Sequence, residues 1–213
     1  METRNEIYQL FPTHVWEIKL PESEYASLNA TLKKSIFEQL PVAESDEVRE
    51  SIQTPNHLHK EREFNELTKI IEQAGASILD FLQTEQKALD ITGCWGNLNP
   101  PGTGHQPHIH PNNYLSGVYY VDAPKGGDQI CFFEPRQQLE MTTPKFTQKT
   151  EQNSNMVTLT VTDGTLLIFP AWFRHAVPPN RSTKNRLSIS FNLMFSDFTK
   201  TMSSPMWKGA TQQ

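Results

Sequence analysis

The chain has 213 residues, a net charge of −5 at pH 7 and 36% hydrophobic residues. This length fits one domain, residues 1–213, and the acidic balance gives no basic surface that would attract nucleic acid in general. No run approaches the roughly 20 apolar residues of a membrane-spanning helix, and METRNEIYQLF at the start lacks the apolar core of a secretory signal. These features predict a protein of a reducing cytoplasm, with Cys94 and Cys131 as buried thiols.

Residues 1–90 are predicted to be mainly helical. Residues 7–20 favour an opening strand, or a pair of strands interrupted by Pro12. One helix is expected to begin near Pro21 and to end at Pro41, and a second to span residues 63–82. Each carries one apolar stripe at spacings of three and four, which predicts packing against a sheet. The polar residues 42–62 between them are predicted to be loop.

Residues 91–198 change to short runs rich in β-branched and aromatic residues. These runs are ITGCWGNLN, YLSGVYYVDA, DQICFFEP, NMVTLTV, GTLLIFP and NRLSISFNLMF, separated by Pro, Gly, Asn and Asp clusters. They predict an antiparallel sandwich or barrel, and hence an α+β chain with helices first. An edge strand of such a sheet could pair across a homodimer. The polar loop 136–155 is either a substrate lid or an inert surface excursion.

Three of the seven histidines, His105, His108 and His110, lie within six residues, and His175 follows the run GTLLIFPAWF. Alternate residues of a strand share a face, so His108 and His110 would project together, and a neighbouring strand could bring His175 to meet them. Three converging imidazoles suit iron, zinc or copper. The alternative is a polar turn in a proline-rich loop. His105 would support the ligands or belong to the loop.

Arg186 strengthens the interpretation as a binding site. By alternation it shares one strand face with Ser188 and Ser190. An arginine on an inward face is costly to bury without an anion, and a guanidinium binds a carboxylate through two parallel hydrogen bonds. This face is therefore either a dicarboxylate site or the solvent-exposed edge of a terminal strand.

With these residues in view, the chain resembles the iron(II)/2-oxoglutarate oxygenase superfamily, and more closely its prolyl-hydroxylase-like members in bacteria and marine bacteriophages. Three ordered blocks carry the resemblance: HIHPNNYLSGVYYV, GGDQICFFEP and GTLLIFPAWFRHAVPPNRSTKNRLSISFN. It implies a double-stranded β-helix, also called a jelly roll and similar to a cupin, with the N-terminal helices packed on one sheet.

The resemblance also implies a reaction and a ligand set. Fe(II) would be held by His108, His110 and His175, and 2-oxoglutarate by Arg186 with Ser188 and Tyr120. An unknown substrate would be hydroxylated by dioxygen with release of succinate and CO2. Four residues could line the substrate side or belong to the core, namely Trp95, Asn97, Asn99 and Trp172.

One departure from the superfamily leaves alternatives open. His110 stands where the superfamily has a carboxylate, so the site either uses three histidines or recruits Asp122 or Asp128. A third arrangement has water or chloride in place of His110. Two other functions compete with the oxygenase, a cupin-like protein that binds metal or ligand without turnover and a viral structural protein. Arg186 is the residue that distinguishes the oxygenase from the cupin.

Overall fold

The computed structural model describes residues 5–40 and 50–201. In chain order its elements are β1 (Trp16–Lys19), α1 (Glu22–Gln39), β2 (Ile52–Gln53), α2 (Asn65–Phe81), β3 (Leu89–Asn99), β4 (His105–His108), β5 (Leu115–Asp122), β6 (Gln129–Phe133), β7 (Met156–Thr160), β8 (Thr165–Pro170), β9 (His175–Val177), β10 (Arg186–Phe195) and α3 (Ser196–Thr199). Short 3-10 helices occupy Leu58–Lys60, Arg62–Phe64 and Gln137–Glu140. Within the described ranges, no helix combines the length and apolar character needed to cross a membrane.

The strands form two antiparallel sheets. The larger sheet has the order β1-β8-β5-β10-β3-β2, and the smaller sheet has the order β4-β9-β6-β7. Along the chain from β3 to β10, the strands pass repeatedly from one sheet to the other, which is the connectivity of a jelly roll. The predicted fold class, a jelly roll with N-terminal helices, is therefore confirmed.

Helices α1 and α2 cover the outer face of the larger sheet. Their buried apolar residues include Leu32, Ile36 and Ile71, and these pack with Tyr119 and Ile189 of the sheet in one hydrophobic core. This confirms the predicted role of both apolar stripes, although the second stripe does not reach its end, since Phe81 is 61% exposed.

A buried amide fixes α1 against β5. Asn29 donates from Nδ2 to the Val121 carbonyl at 2.8 Å, and its Oδ1 accepts from the Tyr119 hydroxyl at 2.7 Å. Both atoms of the amide are therefore satisfied in a buried environment, where an unpaired polar atom would be costly.

The inner face of the larger sheet is divided into two halves. On the β5–β8 half, Val118, Leu167 and Phe169 form a second hydrophobic core with Ile130 and Phe132 of the smaller sheet. On the β3–β10 half the inward side chains are mostly polar, as described below. The sandwich is thus closed by apolar packing on one side and leaves a polar chamber on the other.

Gly117 on β5 lies in close contact with both neighbouring strands, β8 and β10. A Cβ atom there would lie 2.2 Å from the Phe191 ring and 2.6 Å from the Leu167 carbonyl oxygen. Gly117 is paired with Phe191 across the β5–β10 ladder, so the aromatic ring occupies the space that any side chain at 117 would need. Only glycine fits this position.

Several predictions about local structure were incomplete. Of the opening segment 7–20, only Trp16–Lys19 is a strand. Residues 50–62 of the predicted loop contain β2 and 3-10 turns, while 42–49 lie outside the described residues. Because β1 and β2 both join the larger sheet, the first 90 residues supply part of the sandwich as well as its helical support. Both cysteines are free and buried, as predicted.

Candidate metal centre and anion pocket

His108 and His175 face each other across two short strands of the smaller sheet. They are register partners in the β4–β9 ladder, and their ring centroids lie 4.4 Å apart. In the sequence, His175 follows the run GTLLIFPAWF, which contains Leu167. In the structure it begins a separate strand, β9, in the opposite sheet. That crossing brings the distal histidine beside the first one.

His110 reaches the same point without being part of a strand. β4 ends at His108, so the predicted i, i+2 strand geometry does not position His110. Its backbone N–H instead donates to the Ala171 carbonyl at 2.9 Å. Its ring centroid lies 5.0 Å from that of His108 and 5.2 Å from that of His175. One nitrogen from each of the three rings lies within 4.8 Å of the others.

Backbone carbonyls orient two of these rings. His108 Nδ1 lies 2.7 Å from the Gln106 carbonyl oxygen, and His175 Nδ1 lies 2.9 Å from that of Phe173. A carbonyl oxygen can only accept, so Nδ1 carries the proton in each ring and the Nε2 lone pair is free. Histidine ligands of metals are commonly held in this way.

The surroundings keep the imidazoles in the neutral form that binds metal. Burial lowers the pKa of His110 to about 3, with smaller contributions from His175 and His108. Burial also lowers the pKa of His175 to about 4, against the opposing effect of its bond to Phe173. Two neutral ligands are thus available at neutral pH without prior loss of a proton.

No carboxylate joins this cluster among the residues that the structure describes. Asp122 accepts a bond from Lys33 Nζ at 2.8 Å, and Asp128 Oδ1 accepts from the Gly126 backbone N–H at 2.9 Å. Neither carboxylate lies in the cluster, so the structure gives no support to the alternative in which Asp122 or Asp128 completes the metal site. A set of three imidazoles fits iron, zinc, copper or nickel by its donor chemistry.

Arg186 lies deep in the same chamber and forms no salt bridge within the described part of the chain, although the charge of Asp128 acts on it. It is 2% exposed, and its Nη1 donates to the Gln129 carbonyl at 3.2 Å. Its Nε is buried without a hydrogen-bond partner. Burial lowers the pKa of Arg186. A buried guanidinium with an unused donor indicates a site for an anion.

Tyr120 and Ser188 adjoin this guanidinium. The Arg186 Cζ atom lies 5.4 Å from the centroid of the Tyr120 ring, and Ser188 is paired with Tyr120 in the β5–β10 ladder. Burial raises the pKa of Tyr120 to about 12, so its hydroxyl is protonated, yet it has no hydrogen-bond partner. The neighbouring Tyr119 faces α1 instead, where its hydroxyl donates to Asn29 Oδ1.

One chamber contains both the histidine cluster and the Arg186 guanidinium. On the side of the larger sheet it is lined by Trp95, Asn97, Tyr120, Arg186, Ser188 and Ser190. The predicted inward face of β10 therefore lies where alternation had placed it. Gln53 also lines the chamber and donates to Asn97 Oδ1 at 2.7 Å. Sequence reasoning missed Gln53, since no pattern in residues 42–62 indicated a strand. Trp172 is 55% exposed and is not part of the chamber wall.

The comparisons with known proteins agree with this geometry. Residues 93–192 match the family model described as "Putative 2OG-Fe(II) oxygenase". The strand region of this chain belongs to that oxygenase family. As the family's description states, its members are oxygenases that depend on Fe(II) and 2-oxoglutarate. The match contains the three histidines, Tyr120, Arg186 and Ser188. Among proteins with curated functions, none matches the chain in sequence.

Several solved structures of oxygenases have a fold similar to that of this chain. A prolyl-4-hydroxylase from Pseudomonas putida is 16% identical with a TM-score of 0.58, covering 85% of this chain and 92% of its own. The 2-oxoglutarate-dependent carbocyclase SnoK of nogalamycin biosynthesis is 14% identical with a TM-score of 0.61, covering 91% and 87%. HygX from Streptomyces hygroscopicus, solved with nickel and 2-oxoglutarate, is 13% identical with a TM-score of 0.60, covering 86% and 83%. At these identities the likeness establishes the oxygenase fold alone.

Proposed function

We propose that this oxygenase hydroxylates its substrate at an Fe(II) ion held by His108, His110 and His175, with 2-oxoglutarate bound by Arg186, Ser188 and Tyr120. The observation that carries the proposal is the pairing of two features in one chamber. Three imidazole nitrogens lie within 4.8 Å of one another, and the guanidinium beside them is buried, with its Nε lacking a hydrogen-bond partner.

The metal face of the proposed site is set by backbone hydrogen bonds. Gln106 and Phe173 fix the tautomer of His108 and His175, so both present Nε2 to the ion. Three neutral ligands leave the full charge of a divalent ion unbalanced. A dianionic cosubstrate would offset that charge, and this favours binding of metal and 2-oxoglutarate together.

The proposed anion site contains buried hydrogen-bond donors that have no acceptor in the ligand-free protein. Arg186 Nε and the Tyr120 hydroxyl are buried donors with no acceptor. The far carboxylate of 2-oxoglutarate would accept from both, and the Ser188 hydroxyl, buried on the same strand face, would add a third bond. The apolar residues Val118 and Phe169 border the chamber and exclude water from it.

When bound, Fe(II) and 2-oxoglutarate would supply the oxidising chemistry, in which dioxygen gives one atom to the substrate C–H bond and one to succinate, with loss of CO2. The protein orients the reactants and leaves the substrate side lined by uncharged groups, namely Gln53, Trp95, Asn97 and Ser190. Between β2 and β4, an open cleft bordered by Gln53 and His105 leads from this side to solvent.

The domain organisation, location and oligomeric state of the protein are also proposed. The helices pack on the sheet through a shared core, which supports a single domain over residues 1–213. Two free thiols support a reducing location, which we propose to be the cytoplasm of a bacterium or of a bacteriophage-infected cell. A homodimer paired through a free sheet edge stays a prediction. A binding module without turnover is disfavoured, since metal binding alone gives no reason to bury Arg186.

The proposal is tested by loading the full chain with Fe(II) under nitrogen, then adding 2-oxoglutarate and oxygen. We expect one iron per chain and slow succinate release even without substrate. His175→Ala should lose the iron, whereas His57→Ala, an exposed histidine outside the chamber, should retain both iron and succinate release. Stoichiometric binding of both ligands without succinate would instead favour the binding module, and an iron-free chain would reject the site.

A further inference from the structure

A fourth histidine lies in the chamber and is not part of the metal cluster. His105 begins β4, is half-buried, and has its ring centroid 6.4 Å from that of His108. It borders both the chamber and the outer cleft. Since three other imidazoles account for the proposed metal face, His105 needs a separate explanation.

The hydrogen bonds of Asn99 define the proton position on His105. The Asn99 Nδ2 atom lies 3.1 Å from His105 Nε2 and 2.7 Å from Ser51 Oγ, so its two hydrogens have two acceptors. An amide nitrogen only donates, and His105 Nε2 must therefore accept. The proton of the neutral ring is on Nδ1, which makes no hydrogen bond to any residue that the structure describes.

The charged groups around His105 indicate which part of the chamber its Nδ1–H group faces. Arg186 and His108 are the two groups whose charges act on it, and burial with these neighbours lowers the pKa of His105 to about 4. Asn99, which holds the ring, is paired with Arg186 across the β3–β10 ladder. His105 therefore lies beside the interval between the guanidinium and the metal-site histidines. In the proposed function, 2-oxoglutarate spans that interval.

Asn99 supplies an independent sign of a missing polar partner. It is fully buried, and its Oδ1 has no hydrogen-bond partner. Together with Arg186 Nε and the Tyr120 hydroxyl, this atom is one of three unpartnered buried groups around the same end of the chamber. A bound carboxylate would accept from Arg186 Nε and the Tyr120 hydroxyl, and a water molecule beside it would donate to Asn99 Oδ1.

We propose that His105 is a further recognition residue for the dicarboxylate cosubstrate, donating from Nδ1 to a carboxylate oxygen of 2-oxoglutarate, and that Asn99 is the positioning residue that fixes its tautomer. This inference rests on the proposed function. It extends the cosubstrate site from β5 and β10 of the larger sheet to β4 of the smaller one, so that the dicarboxylate would be held from both sides of the sandwich.

The test compares isosteres that keep a donor at only one end of the ring. Asn at 105 places its amide nitrogen near the position of Nδ1, whereas Gln reaches the position of Nε2. Titration calorimetry of 2-oxoglutarate into Mn(II)-loaded protein should show affinity near wild type for His105→Asn. The affinity of His105→Gln and His105→Phe should fall about tenfold or more. Mn(II) affinity should not change, and His57→Phe, at an exposed histidine outside the chamber, should behave as wild type.

A second measurement separates recognition from a structural role. In the Zn(II)-loaded protein, the ¹⁵N signals of His105 should report the Nδ1–H tautomer, and 2-oxoglutarate should shift the Nδ1 proton. Equal affinity of the Asn and Gln variants, or an Nδ1 signal that ignores the ligand, would overturn the inference while the proposed function stands. Failure of the metal-loaded wild type to bind 2-oxoglutarate would overturn the proposed function itself.

Discussion

Replacement of Arg186 by Met should stabilise the ligand-free protein while removing cosubstrate binding. The guanidinium is 2% exposed, so folding removes a cation from water. In return it gains one bond to the Gln129 carbonyl, and its Nε gains none. Met has a similar length and no charge, so it fills the same space without the desolvation cost.

The magnitude follows from these contacts. Leaving a buried polar group unpaired costs about 1–3 kcal/mol, and the bond to Gln129 contributes about 1 kcal/mol. Arg186→Met should therefore raise the free energy of unfolding by up to about 2 kcal/mol. For a chain of this size that corresponds to a melting temperature higher by up to about 8 °C. Loss of a buried charged pair with the ligand should weaken 2-oxoglutarate binding by about 30-fold or more.

Scanning calorimetry of the metal-free protein and titration of 2-oxoglutarate into the Mn(II) form measure the two effects. Arg174→Met is the matched control, since Arg174 is exposed and packs over the Phe133 ring at 5.1 Å. It should change neither quantity. An Arg186→Met variant that melts below wild type and still binds 2-oxoglutarate with unchanged affinity would refute the reasoning, because the arginine would then be a structural residue.

Three other perturbations test the site. His110→Asp adds an anionic ligand and should bind Mn(II) about tenfold more tightly; unchanged affinity in calorimetry would exclude position 110 from the metal site. Burial lowers the pKa of His105 and His175 to about 4 and of His110 to about 3, so the unfolded chain takes up protons first as pH falls below 6.5. The metal-free protein should then lose about 1–2 kcal/mol per histidine between pH 6.5 and 5; a constant urea midpoint would contradict this. Gly104→Ala places Cβ 2.4 Å from the Val177 carbonyl oxygen and should separate β4 from β9, with loss of metal binding; retained Mn(II) affinity would argue against that contact.

The inward face of β10 could be predicted because strand alternation is a local property of the backbone. Arg186, Ser188 and Ser190 line the chamber, while Leu187 and Ile189 are buried in the region that faces the helices. The same alternation on β5 places Tyr120 in the chamber and Tyr119 against α1. A long strand with one apolar and one polar face has apolar and polar residues in alternation along its sequence. A shift of one residue would turn the polar side chains toward the hydrophobic core.

The short elements of the site could not be predicted in the same way. β2 and β9 have two and three residues, too few to show alternation, and they exist only because of their pairing partners. His110 reaches the metal cluster through a backbone bond to Ala171, a contact between segments about 60 residues apart in the chain that no local pattern encodes. The sequence therefore predicted which histidines meet, but not the backbone contacts that bring them together.

The absent side chain at Gly117 has a consequence for assembly of the sandwich. Were β5 to slip by one residue against β10, Val118 would meet the Phe191 ring in a space that does not accommodate even a methyl group. The same slip would turn Tyr120 toward α1 and Tyr119 into the chamber, so the anchor to Asn29 and the hydroxyl beside Arg186 would be lost together. Steric exclusion at Gly117 therefore makes the shifted register of β5 against β10 unfavourable and ties the helix contact and the anion pocket to the same alignment.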